Sequence, residues 1–537
     1  MNMHNLKVLV ADDFDNARKS LKKMLFTLGV DSTDLASNGK EVVNACKNTQ
    51  YDVILCDYNL GQGKNGQQVL EEVRVKRYLK STALFVIISA ETSRDMVMGA
   101  MESRPDEYLT KPFTQGVLKK RLERALAQSE SLSPIYQAIA KKDSQKVLEL
   151  CLAHIQENGR YKAWCRKTQM KILLDTKRVD KAEALCRQVL EERDLDWAYL
   201  AEAKISLARK DYAKAVTQLE ALITRFPQCI EAYDLLATSL QKAGNSEKAQ
   251  KTLEMAVDIS PRTLGRQEEL TKISMLNNDL DTAVKASHQT LKLSLHSIHE
   301  SPAQYFQLAS LLAEAAADDD SSEGKRKAQE AFATLNQVTK KYSGQAEVDM
   351  KKALVESRVF ASQGEKNKAQ QCLALAQTMC DQNPALLTPE TALEMGKSFY
   401  AAGKEFEAEA LLMKLVKENK DKHALVAEIN TFMDEPVSNA KKAQAKKING
   451  EGLILYKQQQ YQPALDKFEE ALTYSPKHPG LNMNLIQSAL KLIEDKGKDA
   501  PLLEKCLNAI GRIRHITDQH KQYQRYQSLK QHVARYE

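Results

Sequence analysis

Two hydrophobic patterns divide the chain into two parts. In the first 128 residues, short apolar runs occupy positions 7–11, 51–56 and 83–88, and a shorter strand-like segment covers 107–110. Continuous apolar runs of this length are typical of parallel strands that are buried on both faces. The first part of the pattern therefore predicts strands at these positions.

Helical spacing appears between the apolar runs. Leu21, Met24, Leu25 and Leu28 recur at the spacing of one helix face, and Gly29 is placed to end that helix. Short strands that alternate with helices predict a doubly wound α/β domain with a parallel sheet. We place this domain at 1–128, followed by a polar linker at 129–134.

From residue 135 to 537 the pattern is helical and it repeats. Small and large apolar positions recur with a period of 34 residues, most clearly at 196–229, 230–263 and 445–478. Corresponding positions in these three segments include Ala203, Ala237 and Gly452; Ala215, Ala249 and Ala464; Leu219, Leu253 and Phe468; and Pro227, Pro261 and Pro476. Small residues let paired helices approach closely, larger ones fill the gap to the next pair, and proline ends the second helix.

Composition narrows the functional classes. The net charge of +7 arises from 78 basic and 71 acidic residues, so the basic excess is mild and dispersed, which argues against a nucleic-acid binder. The nine cysteines are scattered and odd in number, which favours reduced thiols in a cytoplasmic protein. No apolar run has transmembrane length, and no N-terminal segment has the charged-then-apolar layout of a signal peptide.

The candidate chemistry lies where the predicted strands end. Asp12 and Asp13 follow the first run, Asp57 follows the second, Ser89 follows the third, and Lys111 follows the segment 107–110. Ligands of doubly wound sheets bind at the carboxyl ends of the strands. Crowded carboxylates favour Mg²⁺, and a carboxylate beside that ion can attack a phosphoryl group. These residues therefore predict an aspartyl-phosphate site.

This constellation closely resembles the receiver domain of bacterial two-component response regulators, over residues 5–128. The resemblance implies a flavodoxin-like, five-stranded parallel sheet, in which Asp57 is the phosphoacceptor. It also implies that Mg²⁺ is held by Asp13, Asp57 and the backbone carbonyl of Asn59, with Asp12 contributing through water. Lys111 would pair with the phosphate.

The resemblance also assigns a switch. Ser89 takes the position of the family's Ser/Thr switch residue, and Tyr108 matches the aromatic residue that swings inward when that residue moves. The Lys111–Pro112 bond is expected to be cis, and Asn59 and Glu91 match chemotaxis-type receivers with a short-lived phosphoryl group. One departure is the segment 102–106, which replaces the small Gly-Ala pair common before the fifth strand.

A receiver that folds without being phosphorylated is the alternative. Such domains usually lack one of the acids or the lysine, and all of them are present here. The chain shows no phosphate-binding Gly-x4-Gly-Lys-Ser/Thr loop and no zinc-ligand spacing. We therefore expect no enzyme activity beyond phosphorylation and dephosphorylation at Asp57.

The helical part resembles a tetratricopeptide-repeat array, with the Ala/Phe/Ala/Pro half of the motif kept and the Trp/Leu-Gly/Tyr half mostly lost. The resemblance implies an all-α superhelical solenoid whose groove binds proteins. The resulting hypothesis is an adaptor that a histidine kinase or phosphotransfer protein phosphorylates and that binds unidentified proteins through its repeats. A constitutive scaffold, a homodimerisation module and a nucleic-acid-binding regulator are the alternatives.

Overall fold

The protein is described from a computed structural model. The structure describes residues 3–536 except 92, 158, 278, 318–320, 423–424, 427, 430–432, 434–438, 498, 514–515 and 517–519. The chain divides into two compact units: the first comprises residues up to 273 together with 288–300, and the second comprises 274–287 together with 301–537.

A five-stranded parallel sheet forms the start of the first unit, as predicted. Its spatial order is β2-β1-β3-β4-β5. The strands are β1 Lys7–Ala11, β2 Ser32–Ala36, β3 Val53–Asp57, β4 Leu84–Ser89 and β5 Glu107–Thr110. The helices that connect and follow them are α1 Asp15–Thr27, α2 Gly39–Asn48, α3 Gly66–Val75, α4 Arg94–Glu102 and α5 Gln115–Ser131.

Both faces of this sheet are covered by apolar side chains. Ile54 and Cys56 of β3 belong to one buried cluster, whereas Val53 and Leu55 belong to another. Successive strand residues point to opposite faces, so a strand buried on both sides must be apolar throughout. The continuous apolar runs therefore identified the central strands correctly.

The order of the strands places a switch point between β1 and β3. The chain continues from β1 to β2 on one side of β1, whereas β3 pairs with the other side of β1. Crevices at such points, at the carboxyl ends of the strands, are the usual ligand sites of doubly wound sheets. Asp12 and Asp57 lie at this edge.

Helices continue through the remainder of the first unit. They are α6 Ser133–Ala140, α7 Ser144–Gln156, α8 Lys162–Asp175, α9 Val179–Glu192, α10 Asp196–Ala208, α11 Tyr212–Arg225, α12 Ile230–Lys242 and α13 Ser246–Ile259. The next two, α14 Leu264–Leu276 and α15 Leu280–Ser294, contribute residues to both units.

The stretch expected as a linker, 129–134, is occupied by the end of α5 and the start of α6. Ser129 donates a hydrogen bond from its hydroxyl to the Thr82 carbonyl at 2.7 Å, and Leu132 is fully buried. These anchors hold the polar segment against the domain. Polarity alone therefore did not distinguish an exposed connection from a helix end with satisfied hydrogen bonds.

The second unit is helical wherever elements are assigned in it. Its helices are α16 Pro302–Ala315, α17 Ser322–Lys341, α18 Ala346–Ser362, α19 Lys366–Gln382, α20 Pro389–Ala401, α21 Glu405–Glu418, α22 Asn439–Lys457, α23 Tyr461–Leu472, α24 Pro479–Lys496, α25 Ala500–Arg512 and α26 Tyr523–Val533. A 3₁₀ turn covers Pro384–Leu386. None of the helices in the described part of the chain is both long enough and apolar enough to cross a membrane.

The small residues of the repeat pattern lie where helices pack closely. A Cβ atom added to Gly452 of α22 would lie 2.7 Å from a ring carbon of Phe468 on α23. At the same offset, a Cβ on Gly396 would lie 2.6 Å from a methyl carbon of Leu412. The close approach predicted at small residues is therefore confirmed at these two positions, but the large side chain beside each glycine belongs to the same helix pair and not to the next one.

Candidate functional site

Three carboxylates meet at the carboxyl edge of the sheet. Asp12 directly follows β1, Asp13 is the next residue, and Asp57 ends β3. One oxygen from each of them lies within 4.8 Å of the others. Asp12 and Asp57 are buried and Asp13 is half-buried. The structure thus brings together the three acids that the sequence placed at the strand ends.

Lys111 neutralises part of this charge. Its ammonium nitrogen lies 2.8 Å from Asp12 Oδ2 and 3.1 Å from Asp57 Oδ2. The cis bond between Lys111 and Pro112 is confirmed, and the Lys111 backbone N–H donates to the Ser89 carbonyl at 2.7 Å. The lysine that follows β5 is therefore held against the acids that follow β1 and end β3.

Burial and charge act in opposite directions on these groups. Burial raises the pKa of the Asp57 carboxyl above its ordinary value, and the Lys111 ammonium offsets part of that rise. Burial works to lower the pKa of Lys111, but hydrogen bonds and charge interactions with Asp12 and Asp57 outweigh it, and the pKa of the ammonium is raised. Lys111 therefore remains a cation at neutral pH.

One carboxylate oxygen of Asp13 indicates where a metal ion would fit in this site. Its Oδ1 atom is buried and has no hydrogen-bond partner among the described residues. A buried carboxylate oxygen without a partner is costly, and a hard divalent cation would satisfy it. Together with the oxygens of Asp12 and Asp57, this oxygen gives a donor set that fits Mg²⁺.

Asn59 lies in the loop that leaves β3. It is exposed, and its side-chain oxygen accepts a hydrogen bond from the Gly61 N–H at 3.2 Å. The metal-binding role assigned to its backbone carbonyl stays a prediction.

Ser89 and Tyr108 meet at the loop between β4 and α4. Ser89 is buried at the end of β4, and its hydroxyl oxygen accepts a hydrogen bond from the Glu91 N–H at 3.0 Å. The Tyr108 hydroxyl donates to the Glu91 carbonyl at 3.2 Å. A displacement of Ser89 would therefore break a bond to the residue that Tyr108 also holds.

Two residues of the site were not singled out from the sequence. Arg18 of α1 donates a hydrogen bond to the Asp12 carbonyl at 2.6 Å. Gly66, the first residue of α3, donates from its N–H to the Tyr58 carbonyl at 2.8 Å, and a Cβ on it would lie 2.4 Å from the Asp57 carbonyl oxygen. No feature of the sequence around Gly66 indicates this close approach.

Gly66→Ala is expected to impair the site more than the fold. The added methyl group would displace the backbone of Asp57 or of Gly66, because backbone atoms and not a flexible side chain occupy the space. We expect the rate of Asp57 phosphorylation by acetyl phosphate to fall at least roughly 100-fold, as misplacement of reacting groups by about 1 Å does in other enzymes. Intact-mass spectrometry over time measures this rate.

Gly116→Ala is the matched control. Gly116 lies in the first turn of α5, and a Cβ there would make only an ordinary contact, 3.9 Å from the Thr114 hydroxyl. The control is expected to label at the wild-type rate. Equal rates for both variants would show that the Gly66 approach does not position Asp57.

Comparison with known proteins agrees with this geometry. Residues 8–123 match the response regulator receiver domain family. The chemotaxis protein CheY-3 of Vibrio cholerae is 31% identical over 120 residues, which are 91% of that protein and 22% of this chain. The chain belongs to the response regulator receiver family. The chemotaxis protein CheY of Pseudomonas aeruginosa is also 31% identical, over 94% of its length and 22% of this chain.

Beyond the receiver, residues 197–228 match the tetratricopeptide repeat family. Among solved structures, the chemotaxis response regulator CheY4 of Vibrio cholerae is 26% identical, with a TM-score of 0.21, and covers 22% of this chain and 98% of its own. The protein is thus a receiver domain fused to a long helical region with tetratricopeptide-type repeats. Receiver domains typically bind Mg²⁺ at an acidic cluster, and in this receiver Asp12, Asp13 and Asp57 form one.

Proposed function

We propose that the protein is a phosphorylation-controlled adaptor, in which Asp57 accepts a phosphoryl group from a histidine kinase or phosphotransfer protein of the cytoplasm. The convergence of Asp12, Asp13, Asp57 and Lys111 at one edge of the sheet supports this proposal. Such an arrangement combines a nucleophile with the cation that its product requires.

The transfer follows from the positions of these groups. An oxygen of the Asp57 carboxylate attacks the phosphorus of a phosphohistidine, the P–O bond forms, and the P–N bond breaks as the imidazole leaves with its electron pair. Bound Mg²⁺ would neutralise charge on the transferring group, and Asp13, Asp57 and the Asn59 carbonyl are its proposed ligands, with Asp12 acting through water. Water later hydrolyses the aspartyl phosphate and regenerates the carboxylate.

Lys111 and Ser89 respond to the new charge. Lys111 is hydrogen-bonded to two carboxylates, one of which becomes the acyl phosphate, so its ammonium remains beside the phosphoryl oxygens. Ser89 ends the strand next to that of Asp57, and by moving toward that strand its hydroxyl can donate to the same oxygens. This movement breaks the hydrogen bond to Glu91 and transmits phosphorylation to the loop before α4.

The chemistry is tested by labelling the protein with acetyl phosphate. In Mg²⁺, we expect the intact mass to increase by one phosphoryl group that peptide mapping assigns to Asp57, and we expect excess EDTA to prevent the increase. Absence of labelling in Mg²⁺, under conditions that label a known receiver, would show that this domain folds without accepting phosphate.

The output that we propose is a change in the proteins that the repeats bind. A coupling of about 1–3 kcal/mol changes partner affinity about 5- to 150-fold. Pull-downs in Mg²⁺ with and without beryllium fluoride, a phosphoryl mimic, compare the two states. Capture of a protein in one state only supports a switch, whereas identical sets in both states would favour a constitutive scaffold.

A further inference from the structure

A carboxylate of the receiver is enclosed by side chains of the repeats. Glu102, the last residue of α4, accepts hydrogen bonds from the hydroxyls of Ser260 at 2.6 Å and Thr263 at 2.5 Å. The guanidinium of Arg266 lies 3.3 Å from each Glu102 oxygen. All four residues belong to the first unit, and the three donors lie at the boundary between α13 and α14.

This donor set is fixed by the repeats themselves. The side chain of Arg266 is only 2% exposed, and it is bonded to Asp234 of α12 through Nε at 2.7 Å and Nη2 at 2.8 Å. Its Nη1 donates to the Ser260 carbonyl at 2.9 Å, and Ser260 is fully buried. The guanidinium would therefore keep its position and a counter-charge if Glu102 moved away. The donors are therefore positioned to bind a carboxylate, which a contact between two flexible side chains would not be.

A second contact lies beside the phosphoacceptor. Arg262 lies near Tyr58, the residue directly after Asp57: burial raises the pKa of the Tyr58 hydroxyl, and the Arg262 charge offsets part of that rise. A Cβ on Gly99 of α4 would lie 3.0 Å from the Arg262 Cβ atom, so the helix approaches the repeats closely at this glycine. Arg262 and Arg266 thus both lie against the receiver, Arg262 at Gly99 and near Tyr58, and Arg266 at Glu102.

Further along the chain, 293–296 contacts the start of α3. Gln68 donates to the carbonyls of Leu293 at 3.2 Å and Leu295 at 2.9 Å, and Lys64 donates to the carbonyl of His296 at 2.9 Å. These residues also belong to the first unit. The repeats therefore hold both the loop that follows Asp57 and the helix that follows Ser89.

We propose that Ser260, Thr263 and Arg266 form a carboxylate-binding site that holds α4 of the receiver through Glu102 until Asp57 is phosphorylated. This inference rests on the proposed function. The hydrogen bonds of Ser89 and Tyr108 to Glu91 position the loop that leads into α4, and α4 ends at Glu102. When Ser89 moves toward a phosphoryl group on Asp57, its bond to Glu91 is lost. The docked position of α4 is therefore more stable in the unphosphorylated protein than in the phosphorylated one.

Thermodynamic linkage makes the proposal measurable without knowledge of any partner. If docking of α4 opposes the phosphorylated conformation, then weakening the docked contact must raise affinity for a phosphoryl mimic, by up to the same factor. We expect Glu102→Gln to bind beryllium fluoride, in saturating Mg²⁺, at least about 5-fold more tightly than the wild type. Isothermal titration of the whole protein measures both affinities.

Glu123→Gln is the matched control for this experiment. Glu123 lies on α5 of the same receiver, its side chain is 43% exposed, and it forms an ion pair with Lys119 on the same helix. The control is expected to have wild-type affinity. Equal affinity of Glu102→Gln and the wild type would overturn the proposal, since the contact would then be independent of the state of Asp57.

A steric variant tests the contact between α4 and the repeats without removing the charge of Glu102. Gly99→Leu inserts a side chain where the space is filled by Arg262, and it leaves Glu102 in place. It is expected to increase beryllium fluoride affinity as Glu102→Gln does. In hydrogen exchange, the mimic is expected to reduce amide protection of 97–104 and 260–266 in the wild type, and unchanged protection at saturation would contradict release.

The titration also distinguishes the two proposals from one another. If the wild type takes up no beryllium fluoride and acetyl phosphate does not label it, the proposed function fails. If the wild type binds the mimic and labels at Asp57 while Glu102→Gln and Gly99→Leu behave as the wild type does, only the carboxylate-site inference fails.

Discussion

Replacing Asp57 with asparagine is expected to abolish phosphorylation of the protein by acetyl phosphate. The amide is neutral and a poor nucleophile, and the change leaves Asp12 as the charged one of the two present partners of Lys111. Loss of a covalent nucleophile costs roughly a millionfold in rate in other enzymes, which would place labelling below detection. Intact-mass spectrometry in Mg²⁺ measures the labelled fraction.

The fold is expected to survive this substitution. Burial and the neighbouring Asp12 charge both raise the pKa of Asp57, so its ionised form is disfavoured where it lies. Asparagine removes a charge from the cluster and keeps the shape of the side chain. We therefore expect thermal unfolding of the receiver to occur at the wild-type temperature or above it.

Asp15→Asn is the control for Asp57→Asn. Asp15 lies in the first turn of α1, is more than half exposed, and pairs with Arg18 and Lys19 on its own helix. Its loss is expected to leave labelling at the wild-type level. Full labelling of the Asp57→Asn protein would mean that another residue accepts the phosphate.

The central strands and the site were predictable for the same reason. β3 and β4 are buried on both faces, so their residues are apolar in unbroken runs that stand out in the sequence. Parallel strands end at one edge of the sheet, and the residues directly after them meet there whatever the length or path of the connecting loops. The gathering of Asp12, Asp57 and Lys111 follows from these two facts.

The strand β2 gave no such signal. It lies at the edge of the sheet beside β1, and it contains Ser32, Thr33 and Asp34, while Leu35 is 39% exposed. An edge strand with one covered face has neither a continuous apolar run nor a clean alternation over five residues. Its existence was implied only by the resemblance to receivers.

The contacts between the receiver and the repeats could not be predicted from the sequence. Glu102 and Ser260 are 158 residues apart, and Lys64 and His296 are 232 apart. No spacing rule relates residues at such distances. One indirect sign existed, because Glu102 begins the segment in which this chain departs from the small residues usual before the fifth strand. The departure lies where the repeats contact the receiver.

Phe468→Ala is expected to have the largest effect on stability in the repeats. The ring is fully buried between the helices of the C-terminal core, beside Gly452. Its removal leaves a cavity and should lower the free energy of unfolding of this region by about 3–5 kcal/mol. Hydrogen exchange of peptides from 439–533, followed in increasing urea, measures the change.

Phe406→Ala is the matched control, because the same ring is lost from a side chain that is 82% exposed. It should change the free energy of unfolding by less than about 0.5 kcal/mol. Comparable losses for the two variants would show that Phe468 does not pack in the core of its repeat.

A double variant tests why glycine lies beside this ring. Gly452→Ala alone is expected to destabilise the region, because its Cβ would lie 2.7 Å from the ring. Combining it with Phe468→Leu gives the pair that Ala203 and Leu219 form at the same offset in an earlier repeat. Because the smaller side chain makes room for the methyl group, the double variant should be more stable than the sum of the two single losses predicts. Additive losses of unfolding free energy would mean that the two side chains do not share one packing site. The 34-residue period would then reflect helix spacing alone.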